Sequence, residues 1–387
     1  MSFKKVVLTA HLWLGLASGL IVLFLGITGC ILAFEREIEN ATQSYRFVQE
    51  ENRSVISPSR VKEIAAAALP GKLLHSVSYE GGTKSLQATF YSANPEYYYI
   101  VFINPYSGEV LKVKNMDRDF FRIVIMGHYY LWLPPTIGQP IVASATMVFL
   151  IMLITGIILW WPKNNAARKQ RFSIKWSAKW RRVNYDLHNV LGFYVTWAII
   201  FIVVTGLVWG FQWVSKSMYY TLSGGKSLIL FEETLSAPKP AVISDSLPAV
   251  DKVWQIMKKD HTNAQLIEVH YPANDSTAIE AVANPDAATY WKADYRYFDQ
   301  YTLNELPVRH IYSRFKDARL ADKVLRMNYD VHVGAILGLP GKFMAFFASL
   351  IAASLPVTGV IIWWGKKKKK KYQPIKQKVS KEEFQKS

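Results

Sequence analysis

Four long apolar runs, at residues 8–34, 141–161, 190–214 and about 343–364, divide the chain. Each is long enough to cross a bilayer, which takes about 20 residues, so the pattern predicts four transmembrane helices. The long stretches within each pair of runs are patterned differently. Residues 59–113 open with apolar positions at helical spacing (Val61, Ile64, Ala65, Ala68, Leu69) and continue into alternating segments at 86–91 and 97–103, followed by a turn at 104–109. Residues 246–308 carry a second helical pattern (Val250, Val253, Trp254, Met257) and alternating segments at 266–271, 278–283 and 290–298. Each stretch therefore reads as a small α/β lobe. Pro134, Pro135, Pro140 and Pro340 are expected to break the chain ahead of the second and fourth runs, and Pro356 is a kink candidate inside the fourth.

Charge orients this frame. The chain is 51% hydrophobic and 19% charged, with 46 Lys and Arg against 29 Asp and Glu, a net of +17. Such a surplus fits either nucleic acid or a membrane surface, and its location decides between them. Residues 1–7, 163–182 and 366–387, which flank the runs, hold 20 basic residues and two acidic ones, whereas the rest holds 26 and 27. The surplus thus flanks the runs, and the positive-inside rule makes those segments, both termini included, cytoplasmic. Membrane lipids are the implied partner and nucleic acid is excluded. The first run continues past Ile27-Thr28-Gly29-Cys30 and is too long for a signal-peptide core, so it reads as an uncleaved span. Cys30 is the single cysteine, which excludes a disulfide scaffold, a thiolate zinc site, an iron–sulfur cluster held by this chain and covalent CxxCH haem.

The runs are also written twice. His11 is followed by Gly15 and Thr28-Gly29, and His188 at the same spacing by Gly192 and Thr205-Gly206. The second run ends Thr155-Gly156 through Trp160-Trp161 and the fourth Thr358-Gly359 through Trp363-Trp364, with His128 and His332 at nearly matched distances upstream. The unit is span, lobe, span, repeated in the same direction. The expected fold is a membrane protein, mainly α, with four transmembrane helices as two parallel repeats and two small periplasmic α/β lobes. Its segments are 1–40 (first helix), 41–115 (first lobe), 116–162 (interfacial segment and second helix), 163–184 (basic loop), 185–216 (third helix), 217–312 (second lobe), 313–365 (interfacial segment and fourth helix) and 366–387 (basic tail). The tryptophan pairs read as interface belts.

Of the eight histidines, four follow the repeat, and His75, His261, His270 and His310 do not. The topology puts His11 and His188 near the cytoplasmic face and His128 and His332 near the outer face. A bilayer core of about 30 Å separates the two levels, so ligands are shared only within a level. Two imidazoles facing across an axis are the ligand set of a b-type haem, which predicts two haems held by His11 with His188 and by His128 with His332. Gly15 and Gly192 leave the helix face bare one turn on, as a macrocycle lying against it needs, although Gly15 with Gly19 also fits helix packing. A cation stands six residues before each histidine: Lys5, Arg182, Arg122 and Arg326. The positive-inside bias explains the first two. Arg122 and Arg326 are candidates for haem propionates, phospholipid contact being the alternative. In Asn184-Tyr185-Asp186-Leu187-His188 and Asn328-Tyr329-Asp330-Val331-His332 the aspartates are placed to cap the following helices or to orient an imidazole, capping being the simpler role. Tyr129, Tyr130 and Trp132 lie beside His128 as an interfacial belt or as walls of an acceptor site.

These residues resemble the PepSY-associated transmembrane family of bacterial inner-membrane proteins: His11-Leu-Trp-Leu-Gly15 with Thr28-Gly29 and Glu35-Arg36-Glu37-Ile38, Asp186-Leu-His188 with Gly192, and the Thr-Gly to Trp-Trp endings. The resemblance covers nearly the whole chain and implies PepSY-like lobes. Relatives include diheme ferric-siderophore reductases, so it also implies His11, His128, His188 and His332 as haem ligands and a ferric chelate or siderophore as periplasmic acceptor. No flavin or nicotinamide fingerprint is present, which leaves a protein or a quinol as electron donor. Two other classes stay open, a divalent-metal transporter or sensor using the same histidines with Asp186 and Asp330, and a scaffold whose lobes bind or inhibit peptidases.

Overall fold

A computed structural model describes residues 2–162, 164–239 and 247–371; Lys163 and the basic tail beyond residue 371 lie outside the described residues. In chain order the helices are α1 (Phe3–Ala33), α2 (Glu35–Thr42), α3 (Pro58–Ala68), α4 (Phe120–Tyr130), α5 (Pro135–Trp160), α6 (Asn165–Arg171), α7 (Trp180–Gly210), α8 (Gln212–Leu222), α9 (Ala249–Asp260), α10 (Leu320–His332) and α11 (Gly338–Lys371). The strands are β1 (Leu74–Glu80), β2 (Leu86–Ala93), β3 (Glu96–Ile103), β4 (Val110–Asn115), β5 (Leu266–His270), β6 (Ile279–Asn284), β7 (Asp294–Phe298) and β8 (Glu305–Leu306).

Helices α1, α5 and α7 and the stretch Ala335–Gly365 are long and apolar enough to cross a membrane, so the chain is a multi-pass membrane protein. α7 begins well before its apolar run, because residues 180–190 contain no Pro or Gly to stop a helix. The expected break at Pro140 is absent: α5 runs through it from Pro135, giving up one intrahelical hydrogen bond. The chain turns instead at Leu131 and Trp132, both at positive φ (54° and 56°), which separates α4 from α5.

In the bundle α1 and α7 each pack against both α5 and α11. Val22, Phe149, Leu153, Val195, Ile199, Val203, Ala348 and Ala352 fill its middle. With lipid outside, close van der Waals contact drives such packing, and small residues permit it. One close approach of α1 to α11 is at Gly26, where a Cβ would lie 2.8 Å from both Ala353 Cβ and the Ser349 carbonyl oxygen.

The lobes differ from expectation in one respect. They are not separate: all strands join one antiparallel eight-stranded sheet in the order β4-β3-β2-β1-β5-β6-β7-β8. The seam pairs β1 with β5, Val77 opposite Val269. Two four-stranded sheets would each leave an edge of unpaired backbone groups there, and joining them removes both edges. Helices α3 and α9 cover one face over a shared core that includes Val61, Ala65, Val77, Phe90, Val101, Val253, Met257, Val269 and Ile279. Across the seam, Asp251 of α9 accepts from the Ser59 amide at 2.7 Å and from its hydroxyl at 2.5 Å.

The opposite face of the sheet meets α2, α4 and α10. Arg36 pairs with Glu80 at 2.6 Å and also donates to the Ala287 carbonyl. Arg122 lies over the Tyr98 ring at 5.4 Å and Arg326 over Tyr295 at 5.5 Å. Lys114 is half-buried in a knot with Glu39 (3.0 Å) and Asp119 (2.8 Å). Burial disfavours its ammonium, but the two carboxylates outweigh that and hold it above the usual lysine range. The sheet is thereby tied to the short helices that carry the outer histidines.

Candidate functional site

The four repeat histidines gather in two cavities, one in each half of the bundle's depth. The first, of about 530 Å3, is lined by His11 of α1 and His188 of α7, with Gly15, Gly192, Lys4, Tyr185, Asn189 and Arg171. The second, of about 420 Å3, is lined by His128 of α4 and His332 of α10, with Glu35, Tyr129, Tyr130, Gln139, Trp209 and Tyr329. Val22 and Phe149 line both cavities and form the wall between them. Both volumes fall within the range of about 300–1,000 Å3 usual for small-molecule and cofactor sites. The imidazoles of His128 and His332 stand 6.3 Å apart between ring centroids, with their planes at 75°.

Each histidine is held by the threonine of a Thr-Gly dipeptide. The Nδ1 atom of His11 lies 2.8 Å from Thr155 Oγ1, and that of His128 lies 2.7 Å from Thr28 Oγ1. The His188 Nδ1 is 2.9 Å from Thr358 Oγ1, and the His332 Nδ1 is 2.9 Å from Thr205 Oγ1 and 3.0 Å from the Ile202 carbonyl oxygen. The glycine that follows each threonine lies against the ring. A Cβ at Gly29, Gly156, Gly206 or Gly359 would meet the Cε1 atom of His128, His11, His332 or His188 at 3.7, 3.6, 3.4 and 3.4 Å. The pairing crosses between the two spans of each half: α1 carries His11 and the partner of His128, while α5 carries the partner of His11. The same exchange joins α7 with α10 and α11. Sequence reasoning saw these dipeptides only as markers of the repeat, although their recurrence beside four histidines was visible there.

The Asn-Tyr-Asp-x-His segments acquire a different meaning from the one expected. Asp186 and Asp330 lie inside α7 and α10 and cap neither helix. Asp186 pairs with Arg182 at 2.9 Å and accepts from the Lys175 amide. Asp330, fully buried, accepts from the amides of Tyr290 and Trp291 and so docks the second lobe on α10. The asparagines complete the threonine contact. Asn184 donates to the Thr358 carbonyl and Asn328 to the Thr205 carbonyl, each at 3.1 Å. Asparagine and histidine, one helical turn apart, thus grip the same Thr-Gly dipeptide.

Arg122 and Arg326 are not among the residues lining the outer cavity. The buried Arg326 guanidinium donates to the carbonyls of Ile311, Ala293 and Ser313. Among the described residues, the cations lining these two cavities are Lys4 and Arg171, both on the inner one. At Gly15 the expected bare face is covered by Met152, whose Cε a Cβ would meet at 2.9 Å. Trp161 and Trp364 are exposed, as a belt requires, but Trp160 is buried, stacks on Phe193 at 3.7 Å and lines the inner cavity with Trp363. Tyr129 and Tyr130 line the outer cavity, while Trp132 is 60% exposed.

Glu35, named from the sequence only as part of the Glu35-Arg36-Glu37-Ile38 motif and given no role there, stands on the wall of the outer cavity. Burial, with the negative charges of Glu39 and Asp119, pushes its carboxyl up to about 7 against the opposing pull of Lys114 and Arg46. The remaining histidines belong to the lobes. His75 and His270 meet edge to face at 4.9 Å across the seam, His261 lies 3.2 Å from Asp294, and His310 is buried against Phe231 and Tyr297.

No curated protein matches the chain. The family described as the PepSY-associated TM region matches it over residues 8–366, which takes in both histidine pairs, all four spans and the shared sheet. The chain belongs to that family.

Proposed function

We propose that this protein carries electrons across the bacterial inner membrane through two b-type haems, one in each cavity. In this reading both termini are cytoplasmic and the sheet is periplasmic. His11 and His188 hold the inner haem, and His128 and His332 the outer one. The observation that carries the reading is the spacing of the outer pair. With metal–imidazole bonds of about 2 Å and about 1.1 Å from ring nitrogen to ring centre, two imidazoles sharing one metal ion stand about 6 Å apart. The outer pair stands at 6.3 Å. Each pair draws one histidine from each half of the chain, so a flat macrocycle fits between the halves.

Bound haem supplies one-electron redox chemistry at its iron. The chain does the rest. Lys4 and Arg171 face the inner cavity and suit the carboxylates of such a cofactor. Val22 and Phe149 place an apolar wall at mid-depth, which keeps ions and water from crossing with the electron. On the periplasmic side the acceptor is a ferric ion held by a siderophore or another chelate. Taking up one electron turns ferric into ferrous iron, which hard oxygen donors hold less tightly, and the metal is released. A soluble protein or a quinol supplies the electron. Asp186 and Asp330 are spent on Arg182 and on backbone amides, so the imidazole–carboxylate set that a metal transporter or sensor would use is not assembled.

The test is the visible spectrum of detergent-purified protein before and after dithionite. A b-type reduced spectrum is expected, with one component lost in His11→Ala or His188→Ala and the other in His128→Ala or His332→Ala. The reduced protein should be reoxidised when a ferric chelate is mixed in. Colourless protein from haem-replete cells would overturn the reading.

A further inference from the structure

Each of the four threonines has a single hydroxyl proton and already lies close to the carbonyl one turn back in its own helix. Thr28 Oγ1 is 2.9 Å from the Phe24 oxygen, Thr155 2.9 Å from Ile151, Thr205 2.7 Å from Phe201 and Thr358 3.1 Å from Ser354. In an apolar bundle that backbone oxygen is a strong acceptor with little water to compete for it. With the proton committed there, the hydroxyl oxygen offers the neighbouring imidazole only a lone pair.

We infer that Thr28, Thr155, Thr205 and Thr358 are positioning residues that fix the tautomer of His128, His11, His332 and His188: the proton sits on Nδ1, donated to the threonine, and the Nε2 lone pair is left for the cavity. The relay runs Nδ1–H to Oγ1–H to the carbonyl, and both links lie within hydrogen-bond distance in all four places. The glycine beside each threonine lies against the same ring, so both residues of the dipeptide face the imidazole. Isolated imidazole ligands depend on such partners for orientation and basicity.

The four relays are not equivalent, which gives the inference a signature. His128 and His11 have the threonine hydroxyl as their Nδ1 partner. His332 has a second acceptor, the Ile202 carbonyl at 3.0 Å. Removing the Thr205 hydroxyl therefore leaves the His332 proton an acceptor, whereas removing that of Thr28 leaves the His128 proton without one. A purely packing role would make the two valine variants alike, since both threonines are buried and valine matches their shape.

The consequence for ligation rests on the haem reading above; the tautomer does not. In full-length protein carrying haem, Thr28→Val is expected to shift the midpoint potential and the low-spin electron paramagnetic resonance of the outer haem and to cut its retention by about 10–100-fold. The inner haem should stay unchanged, Thr28→Ser should restore the outer one, and Thr205→Val should move it less. Unchanged potential and resonance in Thr28→Val, or equal effects of the two valine variants, would overturn the inference. Nitrogen-15 spectra of histidine-labelled, haem-free full-length protein read the tautomer directly. Nδ1–H at His128 that is lost in Thr28→Val supports the relay even if wild type proves to bind no haem, and Nε2–H at His128 in wild type would refute it.

Discussion

Gly26 offers the sharpest test of how packing sets the site. It lies in α1 two residues before Thr28, where a Cβ would meet Ala353 Cβ and the Ser349 oxygen at 2.8 Å and Ala353 Cα at 3.1 Å. Carbon atoms rest at about 3.5–4.0 Å, so Gly26→Ala requires α1 and α11 to separate by about 0.8 Å, because backbone and Cβ atoms cannot rotate away as a side-chain tip can. Overpacking of this kind costs about 1–3 kcal/mol. The shift also exceeds the tolerance of about 0.5 Å within which a binding constellation works, and Gly26 itself lines the outer cavity. Gly26→Ala is therefore expected to lower the thermal unfolding temperature in detergent and, on the proposed function, to lower the haem per chain read from the pyridine haemochromogen spectrum by depleting the outer site. Gly365→Ala, at a position where a Cβ meets nothing within 4 Å, is the control and should behave as wild type. If Gly26→Ala keeps both stability and haem content, the close approach of α1 and α11 does not govern the site.

Asp330→Ala leaves two buried amides, those of Tyr290 and Trp291, without their acceptor. It should cost about 3 kcal/mol and raise amide hydrogen exchange first at the junction of α10 with the second lobe; exchange confined to distant loops would contradict that docking role. Glu35 supplies a pH prediction. Its folded carboxyl is pushed up to about 7, above the value of about 4.3 for an unfolded chain. The neutral form is therefore favoured by folding, the associated stability is fully present below about 4.3 and is lost as pH rises to about 7. Thermal unfolding of wild type should fall across this window and that of Glu35→Gln should fall less; parallel profiles would show that Glu35 is not strained by burial.

Much of the architecture was legible because it is local. The spans follow from uninterrupted apolar runs, and α3, α9, β2, β3, β5 and β6 from periodicities that one segment carries alone. β1, β4 and β8 were not read: β1 mixes polar and apolar positions, and β4 is mostly exposed, so neither alternates cleanly. The four histidines stand out because each lies at a matched place in the repeated motifs. Their grouping into two cavities followed from topology, since depth depends on order along the chain. The propionate roles of Arg122 and Arg326 rested on spacing alone, and spacing does not say where a long side chain ends. In the fold Arg326 turns to three backbone carbonyls because a buried guanidinium must satisfy its donors.

By itself, then, the amino-acid sequence determined the number of spans, the basic flanks that border them, the repeated motifs and the histidines those motifs share. All of these depend on composition and order, which need no partner in space. Only the tertiary structure decided that both lobes share one sheet, that each of the four imidazoles leans on a threonine from another helix, and that Asp186 pairs with Arg182 while Asp330 accepts from backbone amides. These are contacts between segments far apart in the chain. Hydrogen bonds of about 3 Å have no sequence signature, because they depend on which helix faces meet when the bundle closes.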